Sequence, residues 1–453
     1  MSIASLREKA VSPFIKLKEF LKTCEPSAKL SMIFMGAGQI RNKQLGKGLL
    51  LILAEVVLIV YFALMGVGDL IGLFTLGTMQ GDPVMGIEGD NSITMLIRGV
   101  ASVFVIAFTV FLYYENVKDA NNIAKRLSEG RPANNFKQSL QSLLDEKFYM
   151  VTLALPVVGV IIFNVLPIIF TVLTAFTNYS GTIAPPKLVD WIGFGNFVTI
   201  FTVTTYINTI GKVFLWNIIW AILSTFLSYF GGLCLALLIN KQCVKGKKLW
   251  RAFPILAYAV PGFITMIGFR YMFSGVGPIN WLIVRLWGEG ARIDFLGINS
   301  VGWARFVCLL VNTWVTIPSS MLLSTSVLSN MNKDMYEAAE IDGASAMKQF
   351  FALTLPFVFF ATMPIIITQF IGNFNNFGTS FFLRNGLVNN TEYFNANSTD
   401  LLINWLYNLA LGGESKYYGI ASSVSILIFL ITGTFSLIAY VLSPSYKRED
   451  TYR

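Results

Sequence analysis

A chain of 453 residues with 55% hydrophobic and only 13% charged side chains falls outside the range of soluble domains, where about a quarter of residues are charged. Its formal net charge of +9 is distributed in a way that suits membrane orientation and argues against a nucleic-acid partner. The absence of histidine removes the commonest general base and the commonest metal ligand, and the four cysteines form neither a C-x-x-C pair nor a disulfide framework.

In chain order, residues 1–47 form a basic segment with nine Lys/Arg and no early apolar run of the kind that ends in a cleavage site. Its last part, "MGAGQIRNKQLGKGLL", reads as an interfacial helix leading into the first span. Eight apolar blocks follow, near 48–67, 95–115, 149–177, 213–239, 251–273, 302–328, 352–376 and 419–442. Each is close to the twenty or so residues that cross a bilayer core, and none alternates as barrel strands do. The predicted fold class is an all-α polytopic membrane protein. Its parts are the segment 1–47, two peripheral spans and a loop at 48–148, a six-helix core at 149–442 and a tail at 443–453.

Lys and Arg orient the spans. The connection 68–94 has none and carries Asp69, Asp82, Glu88 and Asp90, whereas 116–148 has six. Residues 178–212 hold only Lys187 and Lys212, while "NKQCVKGKKLWR" holds five and the tail adds Lys447, Arg448 and Arg453. Basic loops therefore alternate with basic-poor ones, which predicts a plasma-membrane protein with both termini and Met331–Phe351 in the cytoplasm. The loops 274–301 and 377–418 fall outside. Two N-x-T sequons there, at Asn389 and Asn397, read as chance matches in an Asn-rich loop.

Prolines 156, 167, 254, 261, 318, 356 and 364 recur in the last six spans. Each frees a carbonyl that lipid cannot satisfy, so these helices are expected to pack on protein or line a wet pathway. Glu55 is a lone acid within the first span, either functional or simply protonated or paired with a helix. The second reading is favoured, since no partner lies nearby in sequence. There is no phosphate-binding G-x-x-x-x-G-K-[ST], no G-x-S-x-G and no metal cluster, so neither a catalytic site, a metal nor a cofactor is expected.

Between the sixth and seventh blocks runs "YEAAEIDGASAMKQFFALTLP". Asn332 can cap a helix beginning near Lys333, with Asp334 and Glu337 in the early turns favoured by the helix dipole. Gly343 breaks it, and Ser345 can cap a second helix running to Leu355. This stretch resembles the EAA signature of permease subunits of binding-protein-dependent ABC importers, through Glu337-Ala338-Ala339, Gly343 and Leu355-Pro356. The resemblance implies a type I importer permease fold with a cytoplasmic coupling helix at 333–350 that docks on the ATPase. Glu337, Ala338, Ala339, Asp342 and Gly343 would be the coupling residues, Glu337 as an ion-pair partner.

"AYAVPGF" (257–263), "VNTW" (311–314) and "NFNNF" (373–377) resemble the larger permease subunit of maltose/maltodextrin importers over roughly the last 300 residues. That likeness implies a sugar site at Tyr258, Gly262, Asn312, Thr316, Ser319, Gly372, Asn373 and Asn376. Thr316 and Ser319 depart from the family pattern, where a glycine and an aromatic stand. The connection between spans three and four is short, whereas some members insert a whole domain there. The short form resembles permeases paired with a lipid-anchored binding protein. The implied partners are a second permease, two ATPase subunits, that extracellular binding protein, an oligosaccharide and membrane lipid. A permease for another oligosaccharide, a polytopic membrane enzyme and an ion-driven transporter are the alternatives. The last two lack, respectively, a catalytic acid pair and internal repeats with cavity-facing acids.

Overall fold

The computed structural model describes residues 24–442 except 83, 133–135, 242, 333, 385–391 and 414. The sequon at Asn389 and the basic tail residues lie outside this set. The described residues are helical, with no β-strand beyond one isolated bridge between Asp82 and Ile87. The chain divides into two compact units, Met1–Leu173 with Ile183–Trp191, and Thr174–Thr182 with Ile192–Arg453.

In the first unit, short helices α1 (Pro26–Ile33) and α2 (Ala37–Arg41) precede the spans α3 (Leu45–Thr75) and α4 (Ser92–Ser128). Helix α5 (Phe136–Leu144) then precedes the span α6 (Phe148–Thr174). Asn91 caps α4 by accepting from the Thr94 amide at 3.0 Å. The N-terminal stretch expected to be an interfacial helix holds α2 and the start of α3, and polar side chains lock it into the unit. Gln39 is fully buried and donates to the Asn116 carbonyl at 3.0 Å, while Asn116 accepts from the Gly36 amide and donates to the Ser31 carbonyl. Gly36 has φ +78°, and a Cβ there would meet the Gly48 carbonyl oxygen at 2.2 Å, so only glycine fits this crossing. Glu55 has partners on distant segments: the Met35 amide at 2.9 Å and the Tyr113 hydroxyl. The paired reading of this acid therefore describes its setting.

The second unit holds α7 (Gly195–Thr202), α8 (Thr204–Asn240), α9 (Lys247–Ala259), α10 (Gly262–Met272), α11 (Pro278–Trp287) and α12 (Val301–Ser329). After them come α13 (Asp334–Ile341), α14 (Ala346–Gln349), α15 (Leu355–Phe374), α16 (Gly378–Arg384), α17 (Leu402–Tyr407) and α18 (Tyr418–Leu442). Trp220 of α8 and Trp405 of α17 anchor its apolar core, both essentially without exposure. Large aromatics of this kind contribute most of the burial energy available in such a core.

Among the described residues, seven helices are long and apolar enough to cross a membrane, and α9 with α10 would make an eighth. That pair covers the apolar block expected at 251–273, and it bends by 89°. The cause is local: Val260 is extended and Pro261 follows, where its ring forbids helical backbone on the preceding residue. The expected second helix of the EAA stretch is corrected. It does not stop at Leu355 but passes through a π-turn at Phe350–Thr354 directly into α15. Pro356 at the start of α15 is tolerated because the wider π-turn precedes it.

Candidate functional site

The candidate transport residues lie in the second unit, on α9, α10, α12, α15 and the turn after α15. Asn312 of α12 is buried at 1% exposure, and its Oδ1 accepts twice, from Asn376 Nδ2 at 2.9 Å and from Thr379 Oγ1 at 3.2 Å. Asn376 Oδ1 in turn accepts from the Thr379 amide at 3.0 Å, capping α16. With both acceptor positions of Asn312 used, its Nδ2 is left buried without a protein partner. A donor in that state has an unmet hydrogen bond that an acceptor can supply only when the packing around it opens.

The remaining predicted residues do not all join this cluster. Asn373 is buried and turned toward α8, donating to Thr225 Oγ1 at 3.0 Å, while its carbonyl accepts from Trp220 Nε1 at 3.1 Å. Thr316 bonds Ser228 on α8 at 2.5 Å and the Asn312 carbonyl at 2.7 Å, and Ser319 bonds the Thr316 carbonyl at 2.8 Å. Their hydroxyls are thus spent on their own helix or on α8. Tyr258 is half exposed, Gly372 has open space where a Cβ would be, and the nearest atom to a Cβ on Gly262 is Val315 Cγ1 at 3.8 Å. Gly262 therefore borders α12 at Val315, one turn from Asn312. Thr379 was missed in the sequence. Its signal was the Asn-x-x-Thr spacing after the helix end, which is the geometry of a side-chain cap.

Behind α16 lies a second polar cluster. Asp400 Oδ1 accepts from Ser380 Oγ at 2.7 Å, and its Oδ2 from the Asn397 amide at 2.8 Å and Asn408 Nδ2 at 3.0 Å. Burial pushes the Asp400 carboxyl above the usual carboxylate range, with these donors and the nearby Arg384 opposing the shift. The cluster holds the loop before α17 against α16, the helix that carries Thr379. Asn397 is 3% exposed, so its sequon is packed inside the protein and inaccessible to a modifying enzyme, as the chance-match reading requires.

The EAA stretch forms the exposed helix α13. The Asn332 side chain accepts from the Asp334 amide at 3.0 Å, so the helix begins at Asp334. Glu337, Ala338, Asp342 and Gly343 are exposed, and Ala339 is half-buried. Gly343 has φ +72°, the left-handed conformation that ends α13 and that non-glycine residues resist. The helix is tied back to the following span by Tyr336, whose hydroxyl lies 2.7 Å from Thr354 Oγ1 and bonds Met331 Sδ at 3.4 Å. Ile341, 87% exposed at the tip, gives the free face an apolar contact point.

Residues 228–448 match the family described as the binding-protein-dependent transport system inner membrane component. Over 437 residues the chain is 34% identical to the maltodextrin transport system permease protein MalC of Streptococcus pneumoniae, covering 94% of this chain and 98% of that one. The chain belongs to this family of ABC importer permeases. It is also 36% identical over 431 residues to the galactooligosaccharides transport system permease protein GanP of Bacillus subtilis, covering 93% of this chain and 98% of that one. A crystal structure of a bacterial ABC transporter that imports alginate shares the fold, with a TM-score of 0.52 and 22% identity over 67% of this chain and 97% of that one. The permease is thus a multi-pass membrane subunit that conducts substrate, and ATP hydrolysis belongs to a separate subunit.

Proposed function

We propose that this permease carries oligosaccharides of the maltodextrin class into the cell, through a pathway in which Asn312 and Asn376 bind sugar hydroxyls. The observation that carries the reading is the buried, unpartnered Asn312 amide donor beside Asn376 and Thr379, in a chain alignable almost end to end with a maltodextrin permease. Tyr258, Gly262 and Gly372 supply an aromatic face and open backbone along the same pathway; Thr316, Ser319 and Asn373 shape it from the α8 side. The galactooligosaccharide relative supports a second reading, because it aligns over the same length with slightly higher identity.

In the proposed assembly this chain pairs with a second permease, two ATPase subunits and an extracellular, lipid-anchored binding protein. Both termini and α13 face the cytoplasm, in line with the basic loops. Glu337, Ala338, Ala339, Asp342 and Gly343 form the face that meets the ATPase, and the Tyr336–Thr354 bond carries its movement into α15. Uptake of labelled maltotriose by the assembled transporter, challenged with unlabelled maltodextrins and galactooligosaccharides, tests the substrate. Competition by maltodextrins alone is expected; competition by galactooligosaccharides alone would replace the first reading with the second.

A further inference from the structure

The first unit contains a polar cavity of about 290 Å³, lined by Lys47, Asp119, Arg126, Ser142, Glu146 and Lys147 among others. Asp119 is already committed: Oδ1 accepts from Lys47 at 2.6 Å and Oδ2 from Gln39 Nε2 at 3.1 Å. Arg126, Lys147 and Glu146 form no ion pair among the described residues. Three basic side chains against two acids leave the cavity net positive, with two cationic heads uncommitted. A guanidinium and an ammonium facing one cavity suit a phosphate, which accepts several charge-assisted bonds at once.

Its position says where such a phosphate would come from. Lys47 lies in the first turn of the span Leu45–Thr75, and Lys147 immediately precedes the span Phe148–Thr174. The cavity therefore sits where two apolar helices enter the bilayer, at the depth of lipid head groups. Leu49, Leu50, Phe148 and Tyr149 are exposed just beyond it and offer apolar surface for acyl chains. We propose that this cavity is a phosphate site occupied by the head group of an anionic phospholipid, held by Arg126 and Lys147 with Lys47 at its edge.

The test uses the full chain in its assembled transporter, in nanodiscs of phosphatidylcholine with or without phosphatidylglycerol, and reads retained phosphatidylglycerol by native mass spectrometry. Arg126→Ala/Lys147→Ala should weaken retention about thirtyfold, at about fivefold for each charge-assisted contact to the phosphate that is lost. Lys125→Ala/Lys137→Ala removes the same charge from residues outside the cavity lining and should retain the lipid as the unmodified protein does. If the first double variant fails to assemble, Lys147→Gln alone should show the fivefold loss. Equal retention in the cavity variant and the unmodified protein, or equal loss in both double variants, would overturn the site. A parallel titration of glycerol 3-phosphate into phosphatidylcholine discs separates the sources. Saturable binding lost in the cavity variant, with lipid retention unchanged, would reassign the site to a soluble phosphate ester.

Discussion

Asn373 and Asn376 are three positions apart yet have different partners, and this difference can be measured. Asn376→Ala removes the 2.9 Å bond to Asn312, worth about 1 kcal/mol net, and leaves the Thr379 amide without its acceptor. Thr379 is 1% exposed, so its unsatisfied amide costs about 1–3 kcal/mol more, and the local loss is about 2–4 kcal/mol in all. That loss falls on the start of α16 and frees Asn312 Oδ1 to rotate, which disorders the proposed sugar contact. Asn373→Ala removes one side-chain bond, to Thr225, worth about 1 kcal/mol, and leaves the Asn312 cluster intact. Labelled maltodextrin uptake, normalised to assembled complex, should therefore fall at least tenfold for Asn376→Ala and less than fivefold for Asn373→Ala. The quantity of Asn373→Ala complex recovered should drop more than its normalised rate. A larger normalised defect for Asn373→Ala than for Asn376→Ala would refute this assignment of roles.

Gly343→Asp forces a side chain into a φ of +72°, and Glu337→Lys reverses a charge on the exposed face of α13; both should leave the protein in the membrane but release the ATPase on co-purification and abolish uptake. Asp400→Ala leaves three donors without their carboxylate, so it should cost about 3–5 kcal/mol and reduce the yield of folded protein, read by fluorescence-detected gel filtration. The amides of Thr78 and Met79 hold the Asp90 carboxyl below its usual value; a depressed acid contributes stability above the ordinary carboxylate range and loses it as pH falls through its own lowered pKa. Amide protection at Thr78 and Met79 should accordingly persist at neutral pH, decline in acid and be lost at neutral pH in Asp90→Ala. In a cysteine-free variant, single cysteines in 68–94 should react with an impermeant thiol reagent on intact cells and those at 125 and 245 should not; labelling of either from outside would invert the proposed topology.

The presence of the spans was legible because the bilayer imposes a length, and length is a property of consecutive residues; their ends were not, since α4 runs on to Ser128 past an apolar block that stops near 115. The local form of the EAA stretch was legible for the same reason: its cap at Asn332, its acids near the helix start and its glycine stop all act within one or two turns. The partners of the polar side chains were not legible. Glu55 reads as isolated, yet its partners Met35 and Tyr113 lie 20 and 58 residues away. Asn373 and Asn376 would share one face if the helix continued through both, because residues three apart are neighbours on its surface. Helix α15 ends at Phe374 instead, so Asn373 stays on the face packed against α8, while Asn376 lies beyond the end and turns to α12, 64 residues earlier in the chain. Where the helix stops between two identical side chains, and which distant helix then lies opposite each, is a property of packing; that packing leaves one asparagine to hold the bundle together and the other to complete the cluster around Asn312.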